Sequence, residues 1–214
     1  MSAKTVKRAA ISAVILGIAL LVIPLLTNWK TENEQKALER EWSALNHSYQ
    51  NPFTLPEVKA IKADKTNQEE KQEPEEIDKS IAVEKGVIGK ITIETINLET
   101  MIVPGVAQKD LKNAVGWMTS TSFPGDKGNS VLAGHRSHTY GQFFHRLNEV
   151  KTGDAIKIET TSGTIVYKVY DMVIVNPEDL SVLNAAKEEE LTLITCEPLY
   201  SDKYRLIVKA ERLH

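Results

Sequence analysis

Hydrophobic and polar positions fall into three regimes along this chain. The first is an uncharged run from Ala9 to Trp29 that includes Ile11, Val14, Ile15, Leu16, Ile18, Leu20, Leu21, Val22, Ile23, Leu25 and Leu26. As a helix rising about 1.5 Å per residue it spans roughly 30 Å, the thickness of a bilayer core. Lys4, Lys7 and Arg8 precede the run and Trp29 closes it, the order expected of a cytoplasmic basic flank and an interfacial aromatic. Pro24 is tolerable in a membrane helix. A cleaved signal peptide is the alternative, but its apolar region is shorter and an A-x-A-like site follows it. The expectation is a single-pass anchor over residues 1–29, with the N-terminus cytoplasmic and the bulk of the chain extracellular.

The second regime, residues 30–85, is rich in Glu, Lys and Gln, as in Asn67-Gln-Glu-Glu-Lys-Gln-Glu-Pro-Glu-Glu76. Thr31 to Tyr49 has Ala37, Leu38, Trp42 and Leu45 near helical spacing and predicts one helix. The remainder buries too little apolar surface to order itself and reads as a stalk. One apolar island, Pro52-Phe-Thr-Leu-Pro-Glu-Val58, interrupts it.

From Gly86 the period shortens. Val87 to Ile93 alternates, Ile96 to Ile102 does so more loosely, and Ser130 to Ala133 is a short apolar run before Gly134. Ala155 to Glu159 and Thr164 to Val175 flank Thr161-Ser-Gly163 as a hairpin, and Leu191 to Thr195 and Arg205 to Val208 complete the strands. Short helices are expected at Lys109 to Val115 and at Glu178 to Ala186. Many short strands between turn residues predict a mostly β domain over 86–214, a sandwich or a closed barrel.

Composition narrows the function. The chain has 214 residues and a formal net charge of −3, which gives no basic surface for nucleic acid. It lacks a Gly-rich phosphate loop, zinc-type Cys/His spacing and a dinucleotide fingerprint, so no cofactor is expected. No compact acidic cluster suggests calcium, and no metal site is assigned. A single cysteine excludes an internal disulfide.

That cysteine, Cys196, directly follows an apolar β-run and precedes Glu197-Pro198, so a thiol is expected where a strand ends. An unpaired thiol in an oxidising compartment invites a chemical role; the plain alternative is a buried, inert cysteine. His135 follows Ser130 to Gly134 in the same way and can protonate a leaving amine; a solvated loop histidine is the alternative, and His138 and His145 lie nearby. Arg205 opens the next strand, where a guanidinium can stabilise an oxyanion or simply form a surface ion pair.

Together these residues resemble a known family. Leu191-Thr-Leu-Ile-Thr-Cys196, with Arg205 nine positions on, resembles the active-site signature of sortases, and Asn129-Ser-Val-Leu-Ala-Gly-His-Arg136 resembles their histidine strand. Val87 to Ile93, Ser122 to Asn129 and Phe144 to Asp154 match the flanking pattern. The resemblance implies a closed eight-stranded β-barrel. It implies cleavage after threonine in an LPxTG-like sorting signal of a secreted protein, and transfer to an amine of a peptidoglycan precursor. By motif position Cys196 is the nucleophile, His135 the general acid–base and Arg205 the oxyanion and substrate support. Thr195 and Ala133 match positions that contact the substrate backbone and line the groove for its Leu-Pro end. No Asp or Asn is assigned to orient the histidine. Gly134-His-Arg136 and Glu197-Pro198 favour class D over class A.

Two rival readings differ in class. A papain-like hydrolase needs its cysteine at a helix N-terminus, early in the domain, with histidine downstream; here the order is reversed. A non-catalytic surface adaptor predicts an unreactive thiol. Leu55-Pro-Glu-Val58 also resembles the start of a sorting signal, with Val58 in place of threonine; it is expected either to dock near the groove, to be a chance match in a linker, or to pack against another face of the barrel.

Overall fold

The computed structural model describes residues 3–50, 86–136 and 143–214. The island at 52–58, the rest of the polar stalk after residue 50, and His138 lie outside the described residues. Helix α1 runs from Ala3 to Gln50, and the chain divides into two compact units, Met1–Ala37 and Leu38–His214. Most side chains of residues 9–29 are outside the described ones, and among the described residues no helix is long and apolar enough to cross a membrane.

In the second unit the end of α1 packs on the barrel. Leu38, Trp42 and Leu45 recur at the spacing of one helix face; Trp42 and Leu45 are buried, and Leu38 and Trp42 cluster with Val87 and Met101. The polar residues between them face solvent, which is why a segment of stalk-like composition still holds a docked helix.

Eight strands close into a barrel: β1 (Gly89–Ile93), β2 (Leu98–Pro104), β3 (Val115–Trp117), β4 (Gly128–Ala133), β5 (Ala155–Thr160), β6 (Gly163–Val175), β7 (Glu189–Glu197) and β8 (Tyr204–Arg212). Their order around the barrel is β1-β2-β3-β4-β7-β8-β6-β5, closed by β5 against β1. Closure removes the exposed edges that an open sheet leaves unpaired. The interior is filled by alternate residues of each strand, among them Ile91, Ile102, Leu132, Ile158, Leu193 and Val208. Tyr167 reaches into this core from β6 and accepts a hydrogen bond from the Gly125 amide at 2.9 Å, tying the loop before β4 to the far wall. Burial pushes its phenol up to about 12.

Two expectations change. Lys109 to Val115 is not a helix: residues 108–112 form turns and Val115 opens β3. The Ala107 amide donates to the Asp110 carboxylate at 3.0 Å, and the Asp110 amide donates back to the Ala107 carbonyl at 2.9 Å. Such local side-chain bonding competes with helix, and pairing of Val115 with Ile102 takes the last residue into the sheet. The helix expected over Glu178 to Ala186 contracts to a 3₁₀ turn at Leu180–Leu183, capped by Asp179.

Trp42→Ala is expected to lower the unfolding free energy by about 3 kcal/mol, as truncation of a buried aromatic does. Denaturant melts check it; a loss below about 0.5 kcal/mol, the scale of a surface change, would mean the barrel does not hold the helix end.

Candidate active site

β4 pairs with β7 in parallel, from Gly128↔Glu189 to Ala133↔Ile194. Parallel strands end on the same side, so the residues just beyond this register, His135 and Cys196, emerge together. The pairing continues past the end of β4: the Gly134 amide donates to the Ile194 carbonyl at 3.1 Å, and the Thr195 hydroxyl donates to the Gly134 carbonyl at 2.8 Å. Gly134 is required here, because a Cβ would stand 2.7 Å from the ring of Phe144. The Phe144 amide in turn donates to the His135 carbonyl at 3.2 Å.

Alternation decides which side chains face out. Leu191 and Leu193 belong to the core, so Thr192, Ile194 and Cys196 point to the outer face of β7. β8 runs antiparallel to β7 with Arg205 directly opposite Cys196. Residues opposite each other in such a pair share a face, which places Arg205 beside the cysteine.

Two cavities flank this point. Half-buried Cys196 and exposed His135 line an open one of about 300 Å³ together with Arg136, Tyr200, Ser201 and Asp202. Arg205 lines the second, about 170 Å³ and more apolar, with Met118, Leu180, Val182, Ile194 and Ile207. Its guanidinium donates to the carbonyls of Asp202 and Tyr204 at 2.8 and 3.0 Å. The structure therefore brings Cys196 and His135 into one cavity, while Arg205, opposite Cys196 in the ladder, lines the other.

The remaining candidates land differently. Thr195 is 2% exposed, points into the barrel and is committed to the Gly134 carbonyl; its side chain supports the segment carrying His135 and does not reach the cleft. Ala133 is half-buried at the end of β4 and lines neither cavity. His145 meets the site through its backbone carbonyl, which accepts from Arg136.

Sequence reading passed over two polar clusters. Buried Asn129 donates to the carbonyls of Val182 and Asn184 at 3.0 and 3.2 Å and accepts from the Thr192 hydroxyl at 2.8 Å. It thereby pins the connection between β6 and β7, which walls the apolar cavity. The same connection is capped by Asp179, whose carboxyl is held below its ordinary value by the Ser181 hydroxyl and amide. Arg136 and Glu197, the residues after the histidine and the cysteine, form an ion pair. Among the described residues no group of three or more His, Cys, Asp or Glu side chains is arranged to hold a metal ion.

A Sortase domain profile matches residues 91–213, more than half of the chain. The chain belongs to the sortase family. It is 34% identical over 111 residues to Sortase D of Bacillus subtilis (strain 168), covering 51% of this chain and 54% of that protein. This sortase therefore spans about half the length of the curated relatives it matches. Among solved structures it is similar to a Clostridium perfringens Sortase D5 transpeptidase (TM-score 0.58, 32% identity, 65% of this chain and 89% of that one). It is also similar to Streptococcus agalactiae sortase C1 (TM-score 0.60, 26% identity, 86% and 91% covered).

Asn129→Leu leaves two carbonyls and a buried hydroxyl unpaired, so it is expected to cost about 2 kcal/mol of stability and to speed amide hydrogen exchange at residues 180–184. Protonation of Asp179 acts on the same turn. Its depressed carboxyl stabilises the cap at pH above the ordinary carboxylate value and loses that contribution as pH falls through the lowered one. Protection of these amides, with the intrinsic pH dependence of exchange divided out, should fall on acidification, and exchange unchanged in the variant would remove Asn129 as the clamp.

Proposed function

We propose that this sortase is a cysteine transpeptidase that cleaves an LPxTG-like sorting signal after its threonine and joins the new carboxyl end to an amine of a cell-wall precursor. The parallel register of β4 and β7, which delivers His135 and Cys196 to one cavity with Arg205 opposite the cysteine, carries this reading. The Cys196 thiolate attacks the threonine carbonyl carbon. The electron pair goes to the oxygen, beside which a guanidinium supplies fixed N–H donors. On collapse the C–N bond to the following residue breaks and His135 gives the leaving amine its proton. The acceptor amine then attacks the thioester, His135 takes its proton, and the C–S bond breaks to restore the thiolate. The apolar cavity beside Arg205 is a fitting receptor for the Leu-Pro end, since apolar side chains with few polar groups bind such segments.

Similarity to a B. subtilis Sortase D and to a C. perfringens Sortase D5 favours class D. The uncharged run of residues 9–29 behind a basic flank supports a single-pass anchor with the catalytic unit outside.

Mass spectrometry of the protein mixed with LPxTG-like peptides and candidate amines tests the chemistry. Ligated product and a peptidyl adduct on Cys196 are expected. Cys196→Ala should abolish both; retained ligation in that variant would sink the proposal, and an unreactive wild-type thiol would favour an adaptor. His135→Ala should lose turnover by orders of magnitude while His138→Ala and His145→Ala do not, and Arg205→Lys should lose about 10²–10³-fold.

The anchor is tested by fractionation. Full-length protein is expected to resist carbonate extraction, whereas a form beginning at Lys30 should be soluble and active. Full-length protein released by carbonate would refute the anchor.

A further inference from the structure

The chain places a cation directly after its histidine and an anion directly after its cysteine: Arg136 and Glu197. In the structure they meet. Arg136 Nη1 pairs with Glu197 Oε2, and their side chains are only 7% and 19% exposed. The same guanidinium donates to the Cys196 carbonyl at 3.5 Å, and its Nε donates to the His145 carbonyl at 3.4 Å. One planar fork thus ties together the segment after His135, the end of β7 that carries the thiol, and the returning segment that packs Phe144 over Gly134. Among the described residues no carboxylate or amide side chain hydrogen-bonds the His135 imidazole.

We infer that Arg136 and Glu197 form a positioning pair, which fixes the separation of His135 and Cys196 and cancels a charge that either partner alone would impose on the thiol. This rests on the transpeptidase reading above for its effect on turnover, but not for its effect on the thiol. Neither residue needs to touch substrate; each acts through the backbone of its catalytic neighbour. A shielded ion pair suits the task. In low dielectric its members attract strongly, and loss of one leaves the other buried and uncompensated. Arginine suits it better than lysine, because a single ammonium cannot serve a carboxylate and two divergent carbonyls in one plane.

Among the described residues, the titratable and charged groups around Cys196 are His135 and Arg136 beyond β4, Glu197 on β7, Tyr200 and Asp202 on the following segment, and Arg205 on β8. Within that set Arg136 and Glu197 neutralise each other. Removing Glu197 frees a cation beside the thiol and favours the thiolate; removing Arg136 frees an anion and disfavours it. The two changes therefore shift thiol ionisation in opposite directions, whereas general loosening of the site has no reason to do so.

The test uses the full chain in detergent and follows the pH dependence of alkylation by iodoacetamide. Cys196 is the lone cysteine, so the signal is unambiguous. Glu197→Gln is expected to move the alkylation midpoint down and Arg136→Met to move it up, each by roughly half a pH unit or more. The double variant should return close to wild type. Arg136→Lys keeps the charge and guards against loss of fold: its midpoint should stay near wild type. With an LPxTG-like peptide and an amine, all four variants should lose about tenfold or more in kcat with KM within about twofold, the mark of misplaced reacting groups. Midpoints that stay fixed, or that move the same way in both single variants, would overturn the pair. So would Arg136→Lys with wild-type kcat. If midpoints shift as expected but the wild type ligates no peptide, the pair stands and the transpeptidase reading fails.

Discussion

The parallel pairing of β4 with β7 is the constraint on which the rest of this site depends. The two strands lie far apart in sequence, separated by β5 and β6, and the strand order of this barrel makes them neighbours. Because they run in the same direction, their C-terminal ends coincide, and a histidine and a cysteine each placed beyond the same rung arrive in one cavity. Antiparallel neighbours would have sent the two residues to opposite ends of the barrel. The hydrogen bonds of Gly134 and Thr195 extend that rung pairing beyond the formal end of β4.

Strand alternation then sorts chemistry from packing. Inward residues of β7 and β8 fill the core, and outward ones form the reactive surface. The cavity at the thiol is open and carries Ser201 and Asp202; the one that Arg205 lines is more apolar and walled by the connection between β6 and β7. That connection has little regular structure to hold it, and two side-chain devices compensate. Asn129 satisfies two of its carbonyls from below, and Asp179 caps its single 3₁₀ turn. Buried polar groups that are fully paired make a rigid wall from irregular chain.

Helix α1 adds a further restraint outside the barrel. Its last turns bury Trp42 and Leu45, and Trp42 packs with Val87, two residues before β1, and with Met101 on β2. The stalk-like composition of residues 30–85 thus conceals a segment that belongs with the barrel, because one apolar face is enough to dock a helix.

Seven of the eight strands were legible from alternation, short apolar runs and turn residues, which are local properties of a strand whatever its neighbours are. Val115–Trp117 was not, because three residues are too few to show a period; pairing with Ile102 and Leu132 made it a strand. The shared position of His135 and Cys196 at the ends of apolar runs was also readable, as were the motifs around them. What the chain could not disclose in one dimension was which strands pair and in which direction. That choice turned Thr195 inward, set Arg205 opposite Cys196 and brought Arg136 onto Glu197. Local sequence determines period and chain reversal, which are short-range properties of the backbone. Contacts between residues some sixty positions apart, such as Arg136 with Glu197, exist only once tertiary pairing has fixed the order and register of the strands.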